Sequence, residues 1–567
     1  MTDVTPEAPE ADLSGAGLAA DRERLARDLR DARMQLAMAQ TRLTAMESSA
    51  SWQFGRIVAR AAKNPLGRGA RLPRDLYKLW RDRGASASAP VRSANALASA
   101  SLTDLAGSGE RFLSSLTTPG VALRADPALA LSGGAFPDAA RGPVITGALS
   151  PLGRATLAPD AVVHPLLPHD ADVVIEGVGA DLVVIEAAAL LPGSPWAFAT
   201  DPAAADRGRR LARMIVMARA LSLPVLLVRN VPRSLLPGLS WLAPLVDAVL
   251  EEDFGVQLAR FNPVGVFGDR PVAPVYAGDR DPREAPGVRG LLDELVPGDV
   301  ALAGARSWRE LPALYQSHGV FLTASSGQRL EQQASGARVV GLGGVRDADE
   351  VRSQLEKASA AGPLSLPEIR AGLREIFTRH ATPVKLTSLV QAAGLPAQLA
   401  GGRQVAVLAR VRDAAGAGRL GDALRRQRLR PAEVLVAASG SAAPAAARDA
   451  LSDLADQGVR VVVTDEASGE TDWARPLARL ADAPWVAPWP EPGPADPAAG
   501  LNDTYLLDLA CARECTRADA VGLGDAEYEF VPSLSAPALV RRGLLTPDGP
   551  PAAAWGGHGL RLFTVTR

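Results

Sequence analysis

Residues suited to binding a polar ligand lie between Ser325 and Gly344, in the sequence SSGQRLEQQASGARVVGLGG. A single acidic residue, Glu331, is followed by a small-residue turn containing Gly336 and then by the apolar run ARVVGL. A carboxylate on a short helix beside a strand can accept hydrogen bonds from ribose hydroxyls, which are neutral donors. The alternative is an ordinary surface glutamate, since most glutamates are exposed.

A second candidate segment, VYAGDRD, places Gly278 and Arg280 directly after a predicted strand. Free backbone N–H groups in a glycine loop favour anions, and an arginine adds positive charge, so this segment suits a phosphate group. Taken with Glu331 and Gly336, these residues predict a nucleotide site at the carboxyl edge of a parallel sheet.

The composition excludes several classes of protein. The 567 residues are too many for one core and predict about three domains. A formal net charge of -2 argues against nucleic acid as a partner. The amino-terminal sequence MTDVTPEAPEADLSG lacks an apolar core, and no apolar run reaches the ~20 residues of a membrane span. We therefore expect neither a signal peptide nor a transmembrane helix.

The two cysteines, Cys511 and Cys515, are four residues apart and fall on one helix face. A metal site would need two further ligands nearby, and the sequence suggests none. We therefore expect two buried thiols in a reducing cytoplasm, with no bound metal and no cofactor.

The amino-terminal part of the chain is predicted to be a disordered tail at 1–17 and a helical region at 18–84. Within 25–46, apolar residues alternate in steps of four and three, as in a coiled-coil seam, and this predicts a homodimer. A single amphipathic helix lying on another domain is the alternative.

Basic and aromatic residues alternate over 52–84 in the sequence WQFGRIVARAAKNPLGRGARLPRDLYKLWRDRG. This composition suits an anionic membrane surface, which would place the protein in the cytoplasm at the inner face of the membrane. A solvated helix docked on an acidic face is the alternative. Residues 85–150 are predicted to be a linker and the irregular start of the next domain.

From about Val162, short apolar runs alternate with helical patterns, which is typical of doubly wound α/β folds. The runs predicted as strands include DVVIEG, DLVVIEAAAL, LPVLLVRNVP and VGVFG. The pattern predicts two lobes, at 151–265 and 266–400. It restarts with RQVAVLARVRD, EVLVAASG and VRVVVTDE, which predicts a third α/β domain at 401–567.

Six segments occur in an order that resembles the CgeB-like (spore-maturation-type) glycosyltransferases of the GT-B fold: VVIEAAALLPGSPW, VLLVRNVPRSLLPGLSWLAPLVDAVL, VYAGDRDP, ELPALYQSHGVFLTAS, RLEQQASGARVVGL and LREIFTRHATPVKLTSLVQAAGL. The resemblance implies a hexosyltransferase-type enzyme that uses a nucleotide-sugar as substrate without a metal. It implies that Glu331 holds the donor ribose and that Gly278 lies in the phosphate loop. It also implies that Glu186 and Asn230 line the first-lobe side of the cleft.

The chain departs from that family at three places. Thr323 stands eight positions before Glu331, where retaining enzymes often carry a first glutamate. Gln328 and Arg329 stand where the family usually carries an arginine before this helix, and the first-lobe turn is reduced to RNVP.

The third unit resembles family 2 glycosyltransferases of the GT-A fold, chiefly in NDTYLLDLACARECTRADAVGLGDAEYEF. The expected acidic metal motif is replaced by WVAPWPEPGPAD, where only Glu491 and Asp496 are acidic. A divalent cation on the donor diphosphate would need that motif. The resemblance therefore implies a degenerate module kept for packing or acceptor binding.

Two functions remain open from the sequence. One is transfer of a sugar from a nucleotide-sugar to a glycan, lipid-linked or protein acceptor. The other is an inactive glycosyltransferase-like scaffold or binding protein in cell-surface polysaccharide assembly. The donor cleft discriminates between them, since only the enzyme needs an open site around Glu331.

Overall fold

The computed structural model describes residues 142–566, except 232–234, 267–269, 278–285, 297, 304–307, 325, 343–346, 397–401, 466–472, 491–500, 525–527, 535–536 and 546–550. The predicted tail, coiled coil and basic helices lie outside the described residues. The described part is an α/β fold with three sheets, two of them wholly parallel. The predicted fold class, α/β with successive parallel sheets, is confirmed.

The first sheet has five parallel strands in the order β2-β1-β3-β4-β5. Its central strands are apolar along their whole length because helices and loops cover both faces. The strands are β1 Val144–Ala148, β2 Val162–Pro165, β3 Leu182–Glu186, β4 Val225–Val228 and β5 Ala248–Leu250. Its helices are α1 Pro151–Leu157, α2 Ala171–Gly177 and α3 Ala205–Ala220.

Two predictions for this region are wrong. The run DVVIEG lies in helix α2, where Ala171, Val174 and Ile175 are buried at helical spacing. The first strand of the sheet is instead β1, at Val144–Ala148. The sequence analysis had placed these residues in the irregular segment at 85–150. In the run VGVFG, Val264 and Gly265 lie in a turn and not in a strand, and Gly265 takes a positive φ of 79° there.

The second sheet has four parallel strands in the order β7-β6-β8-β9. They are β6 Val275–Tyr276, β7 Ala301–Leu302, β8 Val320–Thr323 and β9 Arg338–Gly341. The helices of this region are α4 Pro286–Leu295, α5 Leu311–Ser317, α6 Ser326–Ala334, α7 Ala348–Ala361, α8 Leu366–Glu375 and α9 Thr382–Ala392. A π-helical turn, Ile376–His380, joins α8 to α9. The helical pair predicted from LPEIRAGLREIFTRHATPVKLTSLVQAAGL is confirmed.

The chain passes twice between the first and second sheets, and the two passages lie side by side. Val256, in the first passage, forms a parallel bridge with Ala381, in the second. Its N–H donates to the His380 carbonyl at 2.8 Å, and its carbonyl accepts from the Thr382 N–H at 3.0 Å. Helix α9 then packs against the first sheet through Leu386 and Leu389. The last helix of the second region therefore belongs to the core of the first.

The third sheet has eight strands in the order β12-β11-β10-β13-β16-β14-β17-β15. Strands β10 to β13 are parallel, and β16 joins them antiparallel. They are β10 Val405–Val411, β11 Glu433–Ala438, β12 Arg460–Asp465, β13 Trp485–Pro488, β14 Ala520–Leu523, β15 Glu529–Val531, β16 Pro537–Arg541 and β17 Leu562–Val565. The sequence-based prediction did not include the last three strands. The helices are α10 Ala414–Arg426, α11 Ala443–Ala450, α12 Ser452–Asp456, α13 Ala474–Leu480 and α14 Tyr505–Thr516.

Helix α14 joins the second and third sheets. It is buried on nearly every face because it packs on the third sheet and on helix α8. The Cys511 and Cys515 thiols are free and buried within it, as predicted. One ion pair joins the second and third units, Arg374 with Asp508 at 2.6 Å. Arg403 pairs with Glu514 at 2.6 Å within the third unit and donates to the Phe377 carbonyl of the second at 2.7 Å.

We predict that Glu514→Ala lowers the free energy of unfolding by about 3–5 kcal/mol, because it leaves the Arg403 guanidinium buried without its carboxylate. The measurement is the shift in the midpoint of urea denaturation, followed by circular dichroism. Asp503→Ala is the control: it breaks the exposed pair of Asp503 with Arg428 and is expected to cost less than about 1 kcal/mol. Equal shifts for the two variants would contradict the prediction.

Candidate functional site

Glu331 lies on helix α6, which directly follows strand β8 in the second sheet. Its side chain is only partly exposed. Asp253 and Arg260, both in the passage that leaves the first sheet, act electrostatically on its carboxyl group. The site therefore forms where this passage meets a helix of the second sheet.

The carboxyl group of Glu331 is poorly solvated and lies in a mixed electrostatic environment. Burial is the largest effect, and it raises the pKa of Glu331 to about 8. The negative charge of Asp253 raises this pKa further, whereas Arg260 opposes the rise. A carboxyl group with such a pKa is largely protonated near neutral pH. It can then donate one hydrogen bond and accept others, which suits the hydroxyls of a sugar.

Aromatic rings support this site. The Arg260 guanidinium lies over the ring of Trp308, 4.3 Å from its centroid. Phe261, the next residue, packs on the buried ring of Tyr315 at a centroid distance of 5.8 Å. Burial, with the negative charge of Glu331 as a second cause, raises the pKa of Tyr315. Tyr315 therefore stays neutral and forms an apolar wall beside the carboxyl group.

Gly336 forms the turn that ends helix α6. It has a positive φ of 79°, and its carbonyl accepts a hydrogen bond from Arg270 Nη2 at 2.5 Å. A Cβ there would lie 3.4 Å from Ile369 and 3.5 Å from Pro263. Left-handed backbone in a packed turn accounts for the glycine. The contacts of Gly336 therefore stabilise the turn, and none of them involves a ligand-binding side chain named above.

Glu186 and Asn230 are brought together at the carboxyl edge of the first sheet. Asn230 Nδ2 donates to Glu186 at 2.9 Å, and the Ser150 N–H and hydroxyl donate at 2.6 and 2.9 Å. Asn230 Oδ1 accepts from the Ala188 N–H at 3.1 Å. Burial raises the pKa of Glu186, and these hydrogen bonds oppose the rise. Glu186 is 2% exposed. Its carboxyl group thus connects the loops that follow strands β1, β3 and β4.

The remaining predicted site residues, Gly278 and Arg280, lie outside the described residues. Sequence reasoning missed Asp253 and Arg260, which act electrostatically on Glu331, and Trp308, whose ring contacts Arg260. The signal that could have found the first two is the polar sequence EEDFGVQLAR after strand β5, since ligands bind beyond the carboxyl ends of parallel strands.

Two kinds of feature are absent from the described ranges. No helix there is both long and apolar enough to cross a bilayer. No three His, Cys, Asp or Glu side chains within these ranges are grouped so that they could hold a metal ion.

We predict that Glu331→Gln raises the melting temperature at pH 8 and has little effect near pH 4.5. The folded-state pKa of about 8 lies above the ordinary value of 4.5, so between these pH values the unfolded chain binds fewer protons. The free energy of unfolding of the wild type therefore falls as pH rises through this window. Since the side chain keeps some contact with solvent, we expect a gain of about 1–3 kcal/mol at pH 8.

Thermal melts at the two pH values measure this effect, with the exposed Glu356→Gln as the control. A gain that is the same at both pH values would show that titration of Glu331 is not its source.

We predict that Glu186→Ala destabilises the protein by about 1–3 kcal/mol, because it leaves partly buried donors on Ser150 and Asn230 without their acceptor. Thermal unfolding at neutral pH measures the loss. Glu251→Ala, which removes an exposed partner of Arg229 at the next strand end, is the control and is expected to be nearly neutral. A neutral Glu186→Ala would mean that the three loops hold together without it.

Comparisons with known proteins give little more. No family model matches the chain, and no curated protein matches it. Among solved structures, two crystal structures of S. aureus TarS, a glycosyltransferase, are similar. One, of residues 1-349, has 13% identity and a TM-score of 0.22, over 29% of this chain and 58% of that chain. The other has 14% identity and a TM-score of 0.23, over 29% of this chain and 35% of that chain. The chain thus spans less than two thirds of either TarS structure, and at these TM-scores the likeness decides neither fold nor function.

Proposed function

We propose that this protein is a glycosyltransferase whose nucleotide-sugar donor binds around Glu331. The observation that carries the proposal is the poorly solvated Glu331 carboxyl group on the helix after β8, facing Asp253 and Arg260 from the passage that leaves the first sheet. Carboxyl groups with strongly raised pKa values concentrate at functional sites. The helix that carries Glu331 follows a parallel strand, and α/β folds bind ligands beyond the carboxyl ends of such strands.

The arrangement of the first two sheets supports a GT-B type of enzyme, as the sequence resemblance to CgeB-like proteins implies. Each sheet is parallel, and helix α9 returns from the second region to pack on the first. A ligand at Glu331 would touch the passage between the two regions. Such a ligand could couple its own binding to their relative movement.

The proposed reaction breaks the bond between the sugar's anomeric carbon and an oxygen of the donor diphosphate, while an acceptor hydroxyl oxygen bonds to that carbon and releases its proton to the leaving diphosphate or to solvent. The leaving diphosphate takes the electron pair of the broken bond, so its growing negative charge must be stabilised. In this proposal backbone N–H groups and arginine provide that stabilisation, and the acceptor is a glycan, a lipid-linked glycan or a protein.

The third unit, in this proposal, serves packing or acceptor binding. Helix α14 anchors it to helix α8, and the sequence after β13 lacks the acidic motif that would hold a divalent cation on a donor. The amino-terminal segments, 25–46 and 52–84, are proposed to form a homodimer and to contact an anionic membrane at its cytoplasmic face.

A catalytically inactive scaffold is the second candidate, and one observation favours it. Glu186, which the resemblance assigns to the first-lobe side of the cleft, is 2% exposed and accepts hydrogen bonds from Ser150 and Asn230. A carboxyl group closed in this way cannot reach a ligand without breaking these bonds. An enzyme would then have to use other groups on that side of the cleft.

We predict that one of UDP, GDP, dTDP or their sugars binds with a Kd in about the micromolar range and that Glu331→Ala abolishes or strongly weakens this binding. Isothermal titration calorimetry on the full chain measures it, with Glu356→Ala as a matched control on an exposed glutamate. Folded wild-type protein that binds none of these ligands would exclude the enzyme and favour the scaffold. Binding that survives Glu331→Ala would place the donor elsewhere.

A further inference from the structure

We propose that Arg513 binds a single small inorganic anion, of the size of chloride, in a cavity between the second and third units. Arg513 lies on helix α14. The cavity is bounded by this helix, by the π-helical turn before α9 and by strands β10, β13 and β16 of the third sheet. Neither the sequence motifs nor the resemblance to glycosyltransferases indicates this site, and it does not depend on the proposed function.

The cavity has room for one small ligand. Its volume is about 10 Å³, close to the least that holds a water molecule, and it is partly open to solvent. Its lining includes the aromatic residues Phe377 and Trp485, the aliphatic residues Val405 and Leu539, and Arg513. A monatomic anion suits a space of this size, whereas a nucleotide or a sugar is too large for it.

The side chain of Arg513 is held at this cavity with one donor unused. Its guanidinium carbon lies 4.1 Å from the centroid of the Trp485 ring, in a cation–π contact. Its Nε atom is buried, and no atom in the described part of the chain accepts a hydrogen bond from it. A buried N–H without an acceptor costs free energy, and the cost is larger on a charged group. An anion in the cavity that Arg513 lines could accept this hydrogen bond.

The carboxylates around Arg513 are engaged by other arginines. Both oxygens of Glu514, which also lines the cavity, accept hydrogen bonds from Arg403, at 2.6 and 2.7 Å. The other two pairs are Asp160 with Arg517 at 3.7 Å and Asp519 with Arg541 at 2.9 Å. A counter-ion for Arg513 would therefore have to come from solution.

The charge at this place favours an anion over water. Arg541 also lies over the Trp485 ring, 6.0 Å from its centroid. Burial is the largest cause that lowers the pKa of Arg513, and with the positive charges of Arg517 and Arg541 it brings this pKa to about 10, against the opposing influence of two carboxylates. Arg513 is still a cation at neutral pH. A water molecule would satisfy the Nε–H, but an anion would also neutralise the charge.

A bound anion would strengthen the junction between the two units. Phe377 belongs to the second unit, whereas Arg513 and Trp485 belong to the third, and all three line the cavity. A ligand that binds the folded protein and not the unfolded chain stabilises the fold. We therefore expect chloride to stabilise this protein beyond the general effect of salt, which acts by screening.

The test compares potassium chloride with potassium gluconate at equal ionic strength. Gluconate screens charges in the same way but is too large for the cavity. In thermal melts of the full chain, we expect chloride at about ten times its Kd to raise the melting temperature by about 2–4 °C more than gluconate does. We also expect the protein to broaden the NMR signal of chloride, which measures binding directly.

Arg513→Gln is expected to abolish both effects. Arg517→Gln is the matched control, because it removes an equal charge from the end of the same helix without removing a residue that lines the cavity. We expect this control to keep chloride affinity within about twofold of the wild type, a change of the size that loss of a nearby charge causes. Thermal melts in gluconate establish that each variant is folded.

Three results would overturn the proposal. Equal responses of the wild type to chloride and gluconate, without broadening, would show that only water enters the cavity. Chloride effects that persist in Arg513→Gln would place the anion elsewhere. Should Arg513→Gln fail to fold, Arg513→Lys decides, since it keeps the charge but lacks the Nε–H: we expect weaker chloride binding, and wild-type affinity would exclude Nε as the donor. None of these results bears on nucleotide binding at Glu331.

Discussion

The ion pair of Arg403 with Glu514, together with the contacts of Arg403 on Phe377, is the interaction that holds helix α14 of the third region against the π-helical turn of the second. Arg403 donates to both carboxylate oxygens, at 2.6 and 2.7 Å, and to the Phe377 carbonyl at 2.7 Å, while its guanidinium stacks on the Phe377 ring. Removing two charges from water is costly unless every partner is in place. Because the pair is complete, a single apolar core can run from Val256 to Val565 through helix α14.

Two poorly solvated glutamates show how hydrogen bonding separates a structural group from a binding group. Burial raises the pKa of both Glu186 and Glu331. At Glu186, donors from Ser150 and Asn230 supply the hydrogen bonds that water would make, so the carboxyl group is satisfied by the fold itself. At Glu331, Arg260 opposes the rise in pKa, whereas the acidic neighbour Asp253 adds to it. That imbalance destabilises the folded protein, and binding sites commonly carry such a cost.

Sequence reasoning succeeded where patterns are local and failed where contacts are distant. The helical pair around the π-helical turn and the strands of the third sheet from β10 to β14 follow from periodicity. The run DVVIEG misled because six mostly apolar residues fit either a buried strand or one side of a helix. Glu331 could be singled out from its own segment. Asp253, Arg260 and Trp308 could not be associated with it, because folding brings them from other elements that carry no ligand-binding motif.

The two passages of the chain between the first and second sheets are joined to each other by the bridge between Val256 and Ala381. Gly255, with a φ of 73°, precedes this bridge, and any side chain there would collide with the His380 carbonyl. The connection is therefore not a pair of independent tethers, because the two passages are hydrogen-bonded to each other at this residue pair. A change in the path of one passage must then be shared by the other or must break these hydrogen bonds.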